Sequence, residues 1–404
     1  MAGASGSKEI EEILVEGLIN IRKKNEIWNN NRKILGSSTT QELVGGVVKS
    51  YRFNYAEGQT VAHGHMYTEF GSGLRKEYAA SFLILKDNEA NDGLTGERIV
   101  EETLKLSGNP ESVVEAYFST YCKKIRKWIV VYERFEGYLL ENTNMVPAFF
   151  ASEAKRDLTD FWRNKIRSLL DVLDQARVRH VVHGNLSNGD SYVISSETVK
   201  LINIARYRRA NHDDTSDIEG LDGFLRTQDF SNARSSAEWM GLSFLLNSEA
   251  MSERDWKRVV MMHPILVVAE DKLTSYEEVH TFMWRLKSFE RERFANALYC
   301  KMRQHIGYTL YSYLDMTRPV HLGLYKFTQY TGIIYLEIIN FMSNMISHAN
   351  DYVINGFWGP ARIVQEIQDT FGGYMSMAYA VSKTKRYWNQ ELFNDGQQLR
   401  YRIW

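Results

Sequence analysis

The stretch "VVHGNLSNGDSYVISSETVKLINIA", residues Val181 to Ala205, decides the fold. It reads as a polar, glycine- and asparagine-rich loop followed by two short strands, "SYVIS" and "VKLIN". Three polar residues punctuate it: Asn185, Asp190 five residues later, and Asn203 thirteen residues after that. Any one of them alone reads as a turn or cap former. Three together, set between strands, read as one constellation.

Outward from this loop the pattern changes in order. Upstream, from about Gly45 to Glu141, strands mix with one strong helix: "YAASFLILKD" is a buried strand, "TGERIVEETLKLSG" a helix, and "KWIVVYERFEGYLLEN" a strand leading into a polar turn. Around the loop, from Ser152 to Thr281, helices dominate. After Ser288 nearly everything is helix-like, including "RERFANALYCKMRQHIGYTLYSYL" and "GPARIVQEIQDTF". Before Gly45, residues Lys8 to Trp28 place Ile10, Ile13, Leu14, Leu18 and Ile21 on one helical face, which predicts a docked helix in an N-terminal extension over 1–44. The class is α+β: a small β-rich lobe, a helical lobe, then an all-helical tail.

Bulk composition narrows the function classes. A chain of 404 residues is long for one core. With 44% hydrophobic and 25% charged residues it is globular, and a net charge of −1 gives no general pull toward nucleic acid or anionic lipid. Any RNA contact is therefore local. Cys122 and Cys300 match no metal or redox spacing, so both read as reduced thiols of a reducing compartment. No secretion signal or membrane span is visible, and the expected location is cytoplasmic, with the nucleus left open.

The intervals from Asn185 to Asp190 to Asn203, with "FLILK" ending in Lys86, give residues 45–287 a resemblance to a protein kinase domain. The resemblance puts Asn185 at the catalytic carboxylate, Asp190 at the metal-binding amide, Asn203 at the metal-binding carboxylate, and Glu101 or Glu102 as partner of Lys86. Phosphoryl transfer needs one carboxylate for the hydroxyl proton and another for magnesium. Asn185 and Asn203 are neutral amides, so both roles are unfilled and the domain is expected to be a pseudokinase. The "APE" element is absent, and "EGQTVAHGHMY" is a poor phosphate loop. Lys86, Glu101, Asn185, Asp190 and Asn203 then form a degenerate nucleotide site, with ATP or ADP binding left open.

Further on, "HPILVVAEDKLTSYEEV" (His263 to Val279) resembles the join between kinase and nuclease domains in the inositol-requiring-enzyme and RNase L family. That resemblance implies a bilobal protein-kinase-like fold followed, over 288–404, by an all-α kinase-extension nuclease domain. In "YTGIIYLEIINFMSNMISHAND", Tyr330 lies fourteen residues before Asn344 and His348 four after it, which is the family's spacing. It implies that Tyr330 and His348 are the acid/base pair of RNA cleavage by 2′-hydroxyl attack, with Asn344 donating to phosphate and no metal or cofactor required. Where the family has arginine this chain has Ser343, a neutral hydroxyl in place of a charged fork. Lys326 and Arg318 are candidate substitutes. The implied partners are RNA and a second copy or a related kinase-nuclease, without DNA or membrane. The competing expectation is a scaffold or decoy that pairs with an active relative; an active serine/threonine kinase is a third.

Overall fold

The computed structural model describes residues 11–20, 47–69, 75–86, 93–207, 214–227, 230–231, 233–248, 256–302, 310–327, 334–354 and 356–384. The chain divides into two compact units. One comprises residues 1–146 and 168–221, the other residues 147–167 and 222–404.

The first unit is built on an antiparallel six-stranded sheet in the order β1-β2-β3-β4-β6-β5. Its strands are β1 (Glu11–Asn20), β2 (Val47–Tyr55), β3 (Val61–Glu69), β4 (Arg75–Ile84), β5 (Ala116–Cys122) and β6 (Lys127–Glu133), and helix α1 (Gly93–Lys105) packs on β5 and β6. The period of two explains why "YAASFLILK" reads as an unbroken apolar run. Ala80, Phe82 and Ile84 join Tyr51, Phe53, Ile129 and Val131 in one cluster. Leu83 and Leu85 join Ile99, Val100, Val130 and Tyr132 in the other. Both faces of the central strands are covered.

The helix expected over Lys8 to Trp28 is overturned where the chain is described. Glu11–Asn20 is a strand, paired with β2 from Glu11 opposite Tyr55 to Asn20 opposite Val47, with a register shift between Glu16 and Ile19. Helical periodicity over so short a segment is a weak prior. The unpaired edge of β2 supplies a ladder of backbone partners, and Gly17 lies within the shift, where a bulge is tolerated. The rest of the 1–44 extension lies outside the described residues.

"EGQTVAHGHMY" is likewise no phosphate cradle. Gly58 turns the chain with φ +80°, and Gly64 sits inside β3 between Phe53 and Ala80. A side chain at Gly64 would overlap the Arg52 carbonyl, so this glycine serves strand approach. The unit is completed by a small sheet of β7 (Gly137–Tyr138), β8 (Tyr192–Ser195) and β9 (Thr198–Leu201). The β8–β9 hairpin turns on Ser196 and Glu197, both with φ above +50°. In chain order, helix α2 (Asp160–Val178) precedes β8 and helix α3 (Asp214–Leu225) follows β9.

The second unit holds α4 (Ala237–Leu246), α5 (Trp256–Met261), α6 (Ala269–Arg285), α7 (Ser288–Met302), α8 (Pro319–Phe327), α9 (Ile334–His348), α10 (Pro360–Phe371) and α11 (Tyr374–Lys383). Every regular element described beyond residue 287 is helical. Residue 287, the expected junction, lies between α6 and α7 within this unit, whereas the division between units falls at 146/147, 167/168 and 221/222. Asp222 is a buried hub, accepting from Trp239 Nε1 at 3.0 Å, Ser243 Oγ at 2.7 Å and Asn247 Nδ2 at 2.8 Å. Helix α11 lies close against α4 because Gly241 has no Cβ; one there would stand 2.5 Å from the Ser376 carbonyl carbon.

Gly241→Val is therefore expected to destabilise by about 1–3 kcal/mol through overpacking. Thermal melts would show a fall of roughly 3–10 °C. An unchanged melting temperature would mean that α4 and α11 are not in this contact.

Candidate functional site

The Val181 to Ala205 loop is held by one carboxylate. Asp217, buried on α3, accepts the backbone N–H of His183 at 2.6 Å and that of Gly184 at 2.8 Å. Gly184 takes φ +86°, a conformation glycine adopts without strain. The His183 ring is buried and its Nε2 bonds the Ile202 carbonyl at 2.9 Å, so Nε2 carries the proton and Nδ1 has no partner. Burial holds this imidazole below its ordinary range, against the opposing pull of Asp217. The Ala205 amide returns to the His183 carbonyl at 3.1 Å, which ties the two ends of the loop together.

Within that frame Asn185, Asp190 and Asn203 come to one place in the backbone. The Asn185 carbonyl accepts from Ser191 Oγ at 2.7 Å. Asn203 is buried with φ +64°, and its Nδ2 donates to the Asp190 carbonyl at 2.9 Å. Asp190 Oδ2 accepts from the Tyr207 hydroxyl at 3.1 Å, while Asp190 Oδ1 and Asn203 Oδ1 are buried with no hydrogen-bond partner. One carboxylate and one amide oxygen are a poor match for the charge that magnesium-bound phosphates require. Among the described residues no group of three or more His, Cys, Asp or Glu side chains could hold a metal ion. Lys86 and Glu101 are both exposed, whereas Glu102 is buried and bound to Lys105 at 2.9 Å.

Aromatic and aliphatic side chains fill the space between the two sheets of this unit. Leu83, Tyr132, Phe135, Val193 and Ile202 form one cluster with exposures of 1% or less, joined by Val61 and Tyr138. His63 packs its edge on Phe135 and shares Ser81 Oγ, which also accepts the Phe135 amide at 3.1 Å. Burial, helped by the charge of Arg134, lowers the His63 pKa to about 4. None of these fillers stands out in the sequence, because each has an ordinary apolar or aromatic core identity.

The second candidate site lies at the C-terminal end of α9. Asn344 and Ser343 are half-buried, and His348 is exposed, four residues beyond Asn344 and thus on the same face. His348 Nδ1 lies 3.2 Å from Asp351 Oδ2. A carboxylate only accepts, so Nδ1 carries the proton and Nε2 is left as the basic atom. Tyr330 lies outside the described residues. Arg318 is committed elsewhere: with Arg362 and His321 it binds the buried Glu366, donating from Nη2 at 2.7 Å. Those bonds outweigh burial and hold the Glu366 carboxyl below its usual range. Lys326 is exposed on α8.

No family model matches the chain. No curated protein matches it either. Among solved structures it shows a distant similarity to a protein kinase domain. The PknI kinase domain of Mycobacterium tuberculosis is 12% identical, with a TM-score of 0.36 over 54% of this chain and 95% of that one. A double-mutant form of that domain gives 13% identity and a TM-score of 0.36, over 54% and 94%. A single-mutant form gives 14% and 0.31, over 46% and 75%.

Three histidines held neutral by desolvation set an acid limit. His63, His183 and His263, the last lowered to about 3 by burial, stay neutral in the fold. Unfolded, each takes up a proton below about pH 6.5, so stability falls as pH drops from 6.5 toward the folded values. Glu238 opposes this: burial raises it to about 7, so the stability it adds below its unfolded value is lost as pH rises through 7. Three histidines outweigh one glutamate between pH 4.5 and 6.5. Melting temperature is expected to fall on acidification through that range, and His63→Gln to flatten the slope by about one proton. A flat profile in wild type would contradict the buried neutral assignments.

Proposed function

We propose that this chain is a kinase-like protein without phosphoryl transfer, whose helical unit carries a metal-independent RNA-cleaving site. The observation that carries the reading is His348: an exposed imidazole, oriented by Asp351 and one helical turn from Asn344. Cleavage by 2′-hydroxyl attack forms a bond from that oxygen to phosphorus and breaks the bond to the 5′-oxygen. His348 Nε2 accepts the 2′-hydroxyl proton, Tyr330 supplies a proton or polarises the leaving oxygen, and Asn344 donates to the phosphate. The products are a 2′,3′-cyclic phosphate and a 5′-hydroxyl. Ser343 contributes one neutral hydroxyl where an arginine would contribute charge.

Ser343, Asn185 and Asn203, each a neutral group where the resemblance expects a charged one, support a second reading, a scaffold that pairs with an active kinase-nuclease and tunes it. In either case the kinase-like unit is proposed to hold no ATP or ADP, a reading supported by the neutral amides Asn185 and Asn203 where the kinase resemblance expects carboxylates.

The test is RNA cleavage in EDTA by the purified chain on single-stranded and hairpin substrates. His348→Ala is expected to lower the rate by about 10²–10⁴. Ser343→Arg is expected to raise it by about 10²–10³. Wild type that never cleaves, with Ser343→Arg equally inert, rejects the nuclease reading and leaves the scaffold. Magnesium-ATP is expected to shift the melting temperature by less than about 1 °C, and a larger shift would show a nucleotide site.

A further inference from the structure

The loop after α9 carries side chains that the cleavage chemistry does not use. Ile354 and Phe357 are 76% and 79% exposed, more than any other large apolar side chain among the described residues. Between them Gly356 turns the chain with φ +91°, which sets Phe357 out from the surface. The next residue, Trp358, is fixed. Its amide donates to Asn350 Oδ1 at 2.7 Å and its carbonyl accepts from Asn350 Nδ2 at 3.2 Å. Asn350 is only two residues beyond His348, so the clamp ties Trp358 to the backbone that bears the imidazole.

Two guanidiniums flank the Trp358 ring. Arg362 lies 5.1 Å from its centroid and Arg318 6.0 Å. Both are bound to Glu366, which is buried and also faces His321 at 3.1 Å. Two arginines thus share one carboxylate and remain partly exposed, leaving positive charge beside an aromatic face. A half-buried indole whose backbone is clamped by Asn350, an exposed phenyl ring and the partly exposed Arg362 guanidinium are what unpaired nucleobases and their phosphates bind: the rings stack on bases of any identity, and the arginine meets phosphate oxygens.

We propose that Phe357, Trp358 and Arg362 form the subsite on which a single-stranded RNA lays a nucleotide flanking the scissile phosphate. This rests on the cleavage reading, with His348 as the reacting group. Trp358 and Arg362 are positioning residues, and Phe357 supplies a stacking face. A duplex presents no free base face, so the subsite selects single-stranded RNA, loops or bulges.

The test measures binding apart from cleavage. The full chain bearing His348→Ala is titrated into a fluorescein-labelled single-stranded RNA 12-mer and followed by anisotropy. Phe357→Ser and Trp358→Ser, each added to that background, are expected to weaken binding on the order of tenfold, while Trp358→Phe keeps it within about threefold. Arg362→Gln is expected to reduce the slope of log affinity against log salt by about 0.7. Phe357 is too exposed for its replacement to unfold the chain, so its variant stays informative if Trp358→Ser misfolds. Unchanged affinity in Phe357→Ser and Trp358→Ser overturns the proposal, as does absence of single-strand binding. A sedimentation shift from dimer to monomer in Phe357→Ser, with RNA affinity intact, also overturns it and assigns the patch to a second copy. RNA binding lost in these variants, together with a wild type that never cleaves, overturns the cleavage reading and leaves the subsite standing.

Discussion

The first unit depends on the Asp217 carboxylate. It accepts the amides of His183 and Gly184 at 2.6 and 2.8 Å, in a place from which water is excluded. Buried charge is tolerated only when hydrogen bonds satisfy it, and removing one partner of such a set is costly. From this anchor the loop can turn at Gly184, bury His183 beneath Ile202, and bring Asn203 back onto Asp190. The loop thus keeps its backbone in place through buried hydrogen bonds, with the amides Asn185 and Asn203 on either side of Asp190.

That separation between frame and chemistry runs through both units. Around the loop, Tyr132 and Phe135 occupy space with exposures below 1%, and their packing stabilises the sheet in the way any close-packed core does. In the second unit Asp222 and Glu366 play comparable parts, each a buried carboxylate serving several donors. The polar groups left at the surface, His348 and Asp351 among them, are the ones free of such structural duty.

Much of this was legible in the sequence. The hairpin "SYVIS" to "VKLIN", the strand "YAASFLILK" and the helices "TGERIVEETLK" and "GPARIVQEIQDTF" declare themselves by period and turn chemistry. Asn185, Asp190 and Asn203 are readable because their intervals are local. What was not legible involves contact across long separation. Glu11–Asn20 is a strand because β2 offers an edge, which no property of its own ten residues reveals. Asp217 is one of many aspartates until His183 is seen against it. Arg318 looks available in the sequence and is not, because Glu366 lies 48 residues away on another helix. At the second candidate site the resemblance singles out Asn344 and His348 and helical spacing puts them on one face, whereas Asp351 required the turn after α9, and Trp358 required Asn350.

The central proposal is that the chemistry of this chain lies at the end of α9 and proceeds without metal. The most direct measurement is the mass of the RNA termini after incubation with the full chain in excess EDTA. Fragments ending in a 2′,3′-cyclic phosphate and beginning with a 5′-hydroxyl are the expected result, because attack by the 2′-oxygen leaves those groups. Fragments with 5′-phosphate and 3′-hydroxyl ends, formed only when magnesium is restored, would contradict it.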